Sequence, residues 1–310
     1  MDDDFWDVYW ESHLQTMENL GKQVAIQAAS RLIRHLSKEV NHPLRLLELG
    51  SGEGQVIGTL LDSHKQLCDR NNSFGVDYNA QSVTRCRKDY PGLRVDQADF
   101  TDPVILGNLG KFDILLLVNA LHEVFSNTFD AELGEVDIPA AKNNVLSALR
   151  GAVNCLEPSG WLVLFDGLEQ TGNPSETIEL HFLDPQARAD FETFAKQYHP
   201  FNIQFTQLNN PMNVKLSRHS FTRYITKSIF LGKRLWQTEQ LESYQYFTEQ
   251  EFRSAIDQEG LLIKDLQTLT MNDEKWRSRV EIITPGIEFP DEHILILAKL
   301  SPGRSQKSII

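Results

Sequence analysis

Cysteine is scarce in this chain. Of 310 residues only Cys68, Cys86 and Cys155 carry a thiol. The count is odd and no C-x-x-C spacing occurs, which excludes a disulfide-built secreted scaffold and a structural zinc ribbon and fits a reduced, cytoplasmic protein. Long apolar runs are missing too. None approaches the roughly 20 residues that a bilayer span requires, and the opening Met-Asp-Asp-Asp is the opposite of the basic start of a secretory signal. Positive charge is in short supply, with 30 Lys and Arg against 43 Asp and Glu and a formal net charge of −13. Long-range repulsion therefore disfavours a whole-protein affinity for nucleic acid or an anionic membrane. The length that remains to be explained is enough for a full α/β core with a substantial insertion.

The most informative stretch is Leu44-Arg-Leu-Leu-Glu-Leu-Gly-Ser-Gly-Glu-Gly54. Leu44, Leu46, Leu47 and Leu49 read as a buried parallel strand, and Gly50, Gly52 and Gly54 follow at once, ahead of the helix-compatible Gln55 to Leu61. A glycine turn between strand and helix lets a ligand approach the backbone, and the helix start offers unpaired N–H groups. The spacing is G-x-G-x-G, and Gln55 stands where a dinucleotide-binding fingerprint needs its last glycine.

With Glu48 at its base, the run Glu48-Leu49-Gly50-Ser51-Gly52-Glu53-Gly54 resembles the first motif of class I S-adenosylmethionine-dependent methyltransferases. The resemblance implies an α/β fold, a doubly wound seven-stranded Rossmann-like sheet, mostly parallel with an antiparallel last strand. It also implies S-adenosyl-L-methionine as cofactor and S-adenosyl-L-homocysteine as product. The second strand, Ser73 to Asp77, ends in an acid placed to accept from both ribose hydroxyls, with Tyr78 beside it. Helix capping is the competing role for Asp77. After the third strand, Leu93 to Gln97, Asp99 and Phe100 match the family pair that accepts the adenine amino group and packs on its ring. The fourth strand, Phe112 to Val118, is the most apolar run and is expected at the centre of the sheet. Asn119, which follows it, is expected to face the cofactor.

The resemblance places the acceptor-facing groups in Asn119-Ala-Leu-His-Glu-Val-Phe125. The [DN]-P-P-[YF] motif of nucleobase amine methylation is absent. Asn119 and Asp166-Gly167 depart from the acids of the magnesium-using catechol subgroup, so no metal is expected. Leu121-His122-Glu123 resembles the Leu-His-Asp-Trp of small-molecule O-methyltransferases, which implies His122 as general base with Glu123 holding its tautomer. A packing or gating histidine is the alternative, since Val124 replaces the tryptophan. The acids Asp130, Glu132, Glu135 and Asp137 read as a solvated loop. A helix over Pro139 to Leu156 and a fifth strand, Trp161 to Phe165, come next.

The expected division is an N-terminal helical segment over 1–43, a core over 44–166 and 245–300, an insertion over 167–244 and a polar tail over 301–310. In the first segment Leu20, Val24, Ala28, Leu32 and Leu36 predict a helix. Phe5, Trp6, Tyr9 and Trp10 share a side of an earlier one, either closing over the cofactor or docking it to the core. Thr248-x-x-Glu251 predicts a helix start by a capping box, before strands at Leu261 to Leu269 and His293 to Lys299.

The insertion has no Asp or Glu between Thr193 and Thr238 but seven cations, Lys196, Lys215, Arg218, Arg223, Lys227, Lys233 and Arg234. It reads as a basic cap, either drawing an anionic acceptor to Arg218, Arg223 and Lys227 with the aromatics Phe221 and Tyr224 or docking on the acidic core. Val214 to Ile225 reads equally as the second half of a hairpin or as a helix. Tyr244 is a further acceptor-pocket candidate, with core packing as its alternative. The expected activity is methyl transfer to an oxygen or nitrogen of a small molecule. The rivals are an RNA or protein methyltransferase that uses the insertion as a platform, and a noncatalytic cofactor-binding module. The sequence does not speak to oligomeric state.

Overall fold

The computed structural model describes residues 20–301 except 131, 133 and 272. The aromatic set Phe5, Trp6, Tyr9 and Trp10, and the tail, lie outside the described residues. Helix α1 (Leu20–Leu36) leads into β1 (Leu46–Leu49), α2 (Gln55–Ser63), β2 (Phe74–Asp77), α3 (Ala80–Asp89), β3 (Arg94–Gln97), α4 (Pro103–Leu109), β4 (Phe112–Val118) and α5 (Leu121–Ser126). The short strands β5 (Phe129–Asp130) and β6 (Glu135–Val136) pair as a hairpin where an irregular loop was expected. Helix α6 (Ile138–Val153) and β7 (Leu156–Gly167) complete the first part of the chain.

The main sheet has the order β11-β13-β7-β4-β1-β2-β3, where β11 is Leu261–Leu269 and β13 is His293–Leu300. β13 is antiparallel to β7 and β11, and the remaining pairs are parallel. The architecture is thus the doubly wound α/β sheet expected from the resemblance, with β4 fourth of the seven strands. All seven residues of β4 are buried because helices cover both faces of a parallel sheet. The side-chain period of two divides them: Leu115 and Leu117 join the core beneath α5 and α6, while Ile114, Leu116 and Val118 join the core beneath α1 and α2. Ala25, Ala28, Ala29, Leu32, Ile33 and Leu36 give α1 a narrow apolar face, whose alanines let the helix approach the sheet closely. Burying each large aliphatic side chain contributes about 1.5–3 kcal/mol.

After β7 the chain builds a second layer. β8 (Thr177–Phe182), helix α7 (Pro185–Gln197), β9 (Phe205–Gln207), β10 (Asn213–Ser217), helix α8 (Arg218–Lys227) and the short helix α9 (Trp236–Glu239) precede α10 (Glu249–Gln258). The ambiguity of the sequence resolves into both readings. β9 and β10 form a hairpin across Asn209-Asn210-Pro211, and the chain turns helical at Arg218, where the Ser217 side chain caps α8. One boundary needs correction. β12 (Val280–Ile282), from between β11 and β13, joins the cap sheet in the order β12-β8-β10-β9. The cap is therefore not confined to 167–244, and a three-residue strand carries too little pattern to be read in advance. Its own core gathers Phe182, Phe191, Phe194, Phe221, Tyr224 and Trp276.

Between β1 and β4 the winding reverses direction. At such a switch point the loops after the two strands diverge and leave a crevice at their carboxyl ends, where open α/β sheets bind ligands.

Candidate functional site

The crevice starts at the glycine loop. Gly50, Gly52 and Gly54 all have positive φ, at 72°, 52° and 77°. Space forbids other residues at two of them: a Cβ on Gly50 would lie 2.7 Å from the Ala120 Cβ, and one on Gly54 would lie 2.2 Å from the Cys86 Sγ. The loop is pinned from both ends. The Gly50 and Ser51 amides donate to the Val76 carbonyl at 2.9 and 3.0 Å. The Glu48 carboxylate accepts from the Ile57 amide at 3.0 Å, tying strand to helix. Burial pushes Glu48 up to about 8, with the Ile57 amide and Lys22 opposing the shift.

Asp77 lies alongside. Its carboxylate accepts from the Gly52 amide at 2.7 Å and the Asn79 amide at 2.9 Å, and burial raises its pKa against those two donors. Asn79, not Asp77, caps α3, accepting from the Gln81 and Ser82 amides. Tyr78 next to it is exposed. After β3, Asp99 is exposed and folds a turn by accepting from the Thr101 amide and hydroxyl at 2.8 and 2.7 Å. Phe100 is buried beneath the loop, its ring 3.7 Å from where a Gly50 Cβ would stand. At the end of β4, Asn119 holds a φ of 54°, uncommon for a side-chain-bearing residue, and its Oδ1 is buried without a partner.

The histidine stands one turn further on. His122 is 2% exposed, and its Nδ1 lies 2.8 Å from Oδ1 of Asp166 at the end of β7. The expected partner, Glu123, does not orient it, because consecutive helical residues face different directions. Asp166 is fully buried and also accepts from the backbone amides of Leu121 at 2.9 Å, His122 at 3.3 Å and Gly167 at 2.8 Å. Desolvation lowers the His122 pKa, but Asp166 outweighs it and the net shift is upward. Glu123 is half-buried, and desolvation pushes it up to about 8. The ring of Tyr244 stacks on His122 at 3.8 Å with an interplanar angle of 19°.

The cap residues divide. Tyr224 is 1% exposed and lies among Phe182, Phe191, Phe194 and Trp276, so it is a core residue of the cap and not part of an acceptor pocket. Arg223 is buried, ion-paired with Glu169, and lies 3.9 Å from the Phe201 ring centroid. Glu169 also takes His219 Nδ1 at 2.9 Å. Lys227 is fully buried between Glu239 and Glu242, the latter at 3.3 Å. Two of the seven cations are thus paired in space with acids from outside the gap, while Lys215, Lys233 and Arg234 stay exposed. Arg218 is partly buried, with Nε unpartnered. Arg223 and Lys227 are committed within the cap, which removes the ground for reading them as a free anion-attracting surface.

Two site residues escaped the sequence reading. Asp166 was weighed only against a metal-binding pattern, and nothing in a single sequence marks a partner 44 positions from His122. Lys22 is one of several polar residues on α1 that the sequence pattern does not single out. Its Nζ donates to Gln55 Oε1 at 2.9 Å beside the loop, and burial lowers its pKa against the pull of Glu48, Glu53 and Glu123.

Buried oxygens without a hydrogen-bond partner mark the crevice: Ser51 Oγ, Asn119 Oδ1 and Glu53 Oε1, the last 4.0 Å from the Arg85 guanidinium. Each such group left unmet costs about 1–3 kcal/mol. Together with the acids Glu48, Glu53, Asp77 and Glu123, all raised by desolvation, they suit a ligand that brings N–H or O–H donors and positive charge. Among the described residues no group of three or more His, Cys, Asp or Glu is gathered for a metal ion, and no helix is long and apolar enough to cross a membrane.

A family model described as a methyltransferase domain matches residues 47–164. Among solved structures, magnesium protoporphyrin IX methyltransferase (ChlM) from Synechocystis PCC 6803 with bound SAH is similar over 96% of this chain and 95% of that one, with 11% identity and a TM-score of 0.50. A putative methyltransferase from Bacillus halodurans C-125 has 11% identity and a TM-score of 0.46, over 88% of this chain and 98% of its own. A structure described as a pericyclic reaction enzyme and one of LepI in complex with SAM each show 11% identity and a TM-score of 0.43 over 84% of this chain. This chain covers 44% of each of theirs, less than half their length. No curated protein matches the chain.

Proposed function

We propose that this chain, which carries a class I S-adenosylmethionine-dependent methyltransferase domain, transfers the cofactor's methyl group to an oxygen or nitrogen of a small molecule held between the sheet and the cap. The observation that carries the reading is the buried His122–Asp166 pair at the switch point, beside Asn119 and the glycine loop.

The residues present fit the cofactor. Lys22, Ser51 and Glu53 would hold its amino-acid end against the glycine loop, Asp77 its ribose hydroxyls, and Asp99 with Phe100 its adenine. When bound, it supplies a methyl carbon made electrophilic by the adjacent sulfonium. The protein's own work is alignment, water exclusion and proton removal. Alignment of this kind can account for up to about 7–11 kcal/mol of a barrier. Asp166 accepts from Nδ1–H of His122 and so fixes the tautomer in which Nε2 bears a lone pair. Nε2 is the nitrogen left to take a proton from an acceptor O–H or N–H, which contributes typically 10²–10⁴-fold. Because Asp166 raises the His122 pKa, the base is more fully available at mildly alkaline pH.

The enclosure of His122 by the cap supports a small acceptor. The internal pairing of Arg223 with Glu169, and of Lys227 with Glu239 and Glu242, favours a neutral or amine-bearing acceptor over an anionic one. The same pairing weakens the reading of the cap as a platform for RNA. The test is to incubate the protein with methyl-tritiated S-adenosylmethionine and separate small-molecule, RNA and protein fractions of a cell extract. Label in the small-molecule fraction is expected. Label in RNA or protein overturns the acceptor class. Cofactor binding with no label in any fraction indicates a noncatalytic module.

A further inference from the structure

The chemistry derived so far leaves Tyr244 and Lys227 without a task, yet Tyr244 lies against its base and Lys227 against Tyr244. The imidazole of His122 is held at one edge by Asp166, with Nδ1 and Oδ1 2.8 Å apart. A single hydrogen bond lets a ring rock about the bond axis, and rocking swings Nε2 away from its target. A flat group stacked 3.8 Å away and nearly parallel stops that motion, and Tyr244 supplies it from the cap.

Tyr244 is itself held twice. Its backbone carbonyl lies so close over Gly167, the neighbour of Asp166, that a Cβ there would stand 2.1 Å from the oxygen. One face of its ring is filled by the imidazole, so the Lys227 ammonium, 4.1 Å from the ring centroid, takes the other. Ordinary packing does not explain that choice. A fully buried ammonium with two carboxylates around it is costly to desolvate, and an apolar side chain would fill the same space without that cost. An ammonium over an aromatic face is attracted by the ring's quadrupole and fixes the ring's plane.

We propose that Tyr244 and Lys227 are positioning residues for the His122 base, so that the cap completes the geometry of a site whose reacting groups belong to the core. The proposal rests on the reading of His122 as the base. Displacement by about an ångström can cost on the order of 100-fold in rate, which sets the scale of the expected effect.

The test compares Tyr244→Leu, Tyr244→Phe, Lys227→Met/Glu239→Gln and His122→Asn, each checked for fold by circular dichroism. The measurements are methyl transfer from tritiated S-adenosylmethionine to the extract's small-molecule fraction, cofactor Kd by calorimetry, and His122 ring-proton shifts in histidine-labelled protein. Tyr244→Leu is expected to lower kcat by about 30–100-fold with cofactor Kd unchanged, and to move the His122 ring protons downfield as the stacked ring is lost. Tyr244→Phe keeps the ring plane and is expected to keep the rate. The Lys227→Met/Glu239→Gln pair removes charge in balance and is expected to lower kcat by about tenfold. Should Tyr244→Leu not fold, Tyr244→Met removes the ring while keeping bulk and carries the same expectation. If His122→Asn is inactive while Tyr244→Leu or Tyr244→Met retains kcat, the clamp is wrong and the base reading stands. If His122→Asn itself retains kcat, the base reading fails, and the clamp with it.

Discussion

Replacing Asp166 by Asn changes one atom and probes the whole proposed proton path. Asp166 Oδ1 serves His122 Nδ1 and the Gly167 amide, and Oδ2 serves the amides of Leu121 and His122, so all four partners are donors. An asparagine must set its NH2 against two of them. With the NH2 toward His122, Nδ1 has to become the acceptor, the ring proton moves to Nε2, and the lone pair needed for proton removal disappears. The Gly167 amide is then left unmet at about 1–3 kcal/mol. With the amide flipped, two backbone donors go unmet, which costs more. The first arrangement wins, and a wrong tautomer in an Asp–His pair can cost about 10⁴-fold. The expected loss in kcat is therefore about 10²–10⁴-fold, with cofactor affinity kept because Asp166 does not touch the glycine loop. Label transfer from tritiated S-adenosylmethionine measures the rate, calorimetry the affinity, and imidazole ¹⁵N shifts the tautomer. Turnover within about threefold of the parent protein, or an unchanged tautomer signature, refutes the reasoning.

Three other outcomes follow from the same geometry. Lys22→Met should weaken S-adenosylmethionine binding by about 10–150-fold through loss of a charge-assisted bond, and leave 5′-methylthioadenosine, which lacks the amino-acid end, unaffected. Calorimetry with both ligands checks this, and parallel losses count against the assignment of Lys22. Gly167→Ala drives a methyl into the Tyr244 carbonyl and should cost about 1–3 kcal/mol in a denaturant melt while disturbing the His122 stack. The third concerns pH. Desolvation holds Glu48 and Glu123 up to about 8 and Glu53 to about 7, so the folded protein binds more protons than the unfolded chain above the ordinary carboxyl range. Stability should therefore fall as pH rises from about 5 to about 8. His122, raised by Asp166, acts in the same direction, its contribution being present below its unfolded pKa and lost as pH climbs through the folded one. A cationic ligand in the crevice favours the ionised acids, so melting curves with S-adenosylmethionine should lose less over that range.

What the sequence made legible was local. The strand at 112–118 announced its central place because a strand buried on both faces must be apolar throughout. The glycine triplet and Asp77 were readable because each sits at the end of its own strand. Thr248 and Glu251 form the capping box expected of them. What stayed hidden was contact across distance. Asp166 reaches His122 only because β7 lies next to β4, and Lys22 reaches Gln55 only because α1 packs over α2. The basic look of 194–237 is kept only in part: Arg223 and Lys227 pair with Glu169, Glu239 and Glu242, which lie outside the window in sequence but beside it in space.

The central claim is that the ends of β1, β2 and β3 form a pocket for S-adenosylmethionine, and titration calorimetry tests it most directly. Purified protein should take up S-adenosylmethionine and its demethylated product at a single site. Asp77→Ala should weaken both by at least about tenfold, since two ribose hydroxyls lose a charged acceptor. Absence of binding heat for either ligand to the parent protein, or an Asp77→Ala variant that binds both unchanged, contradicts the account.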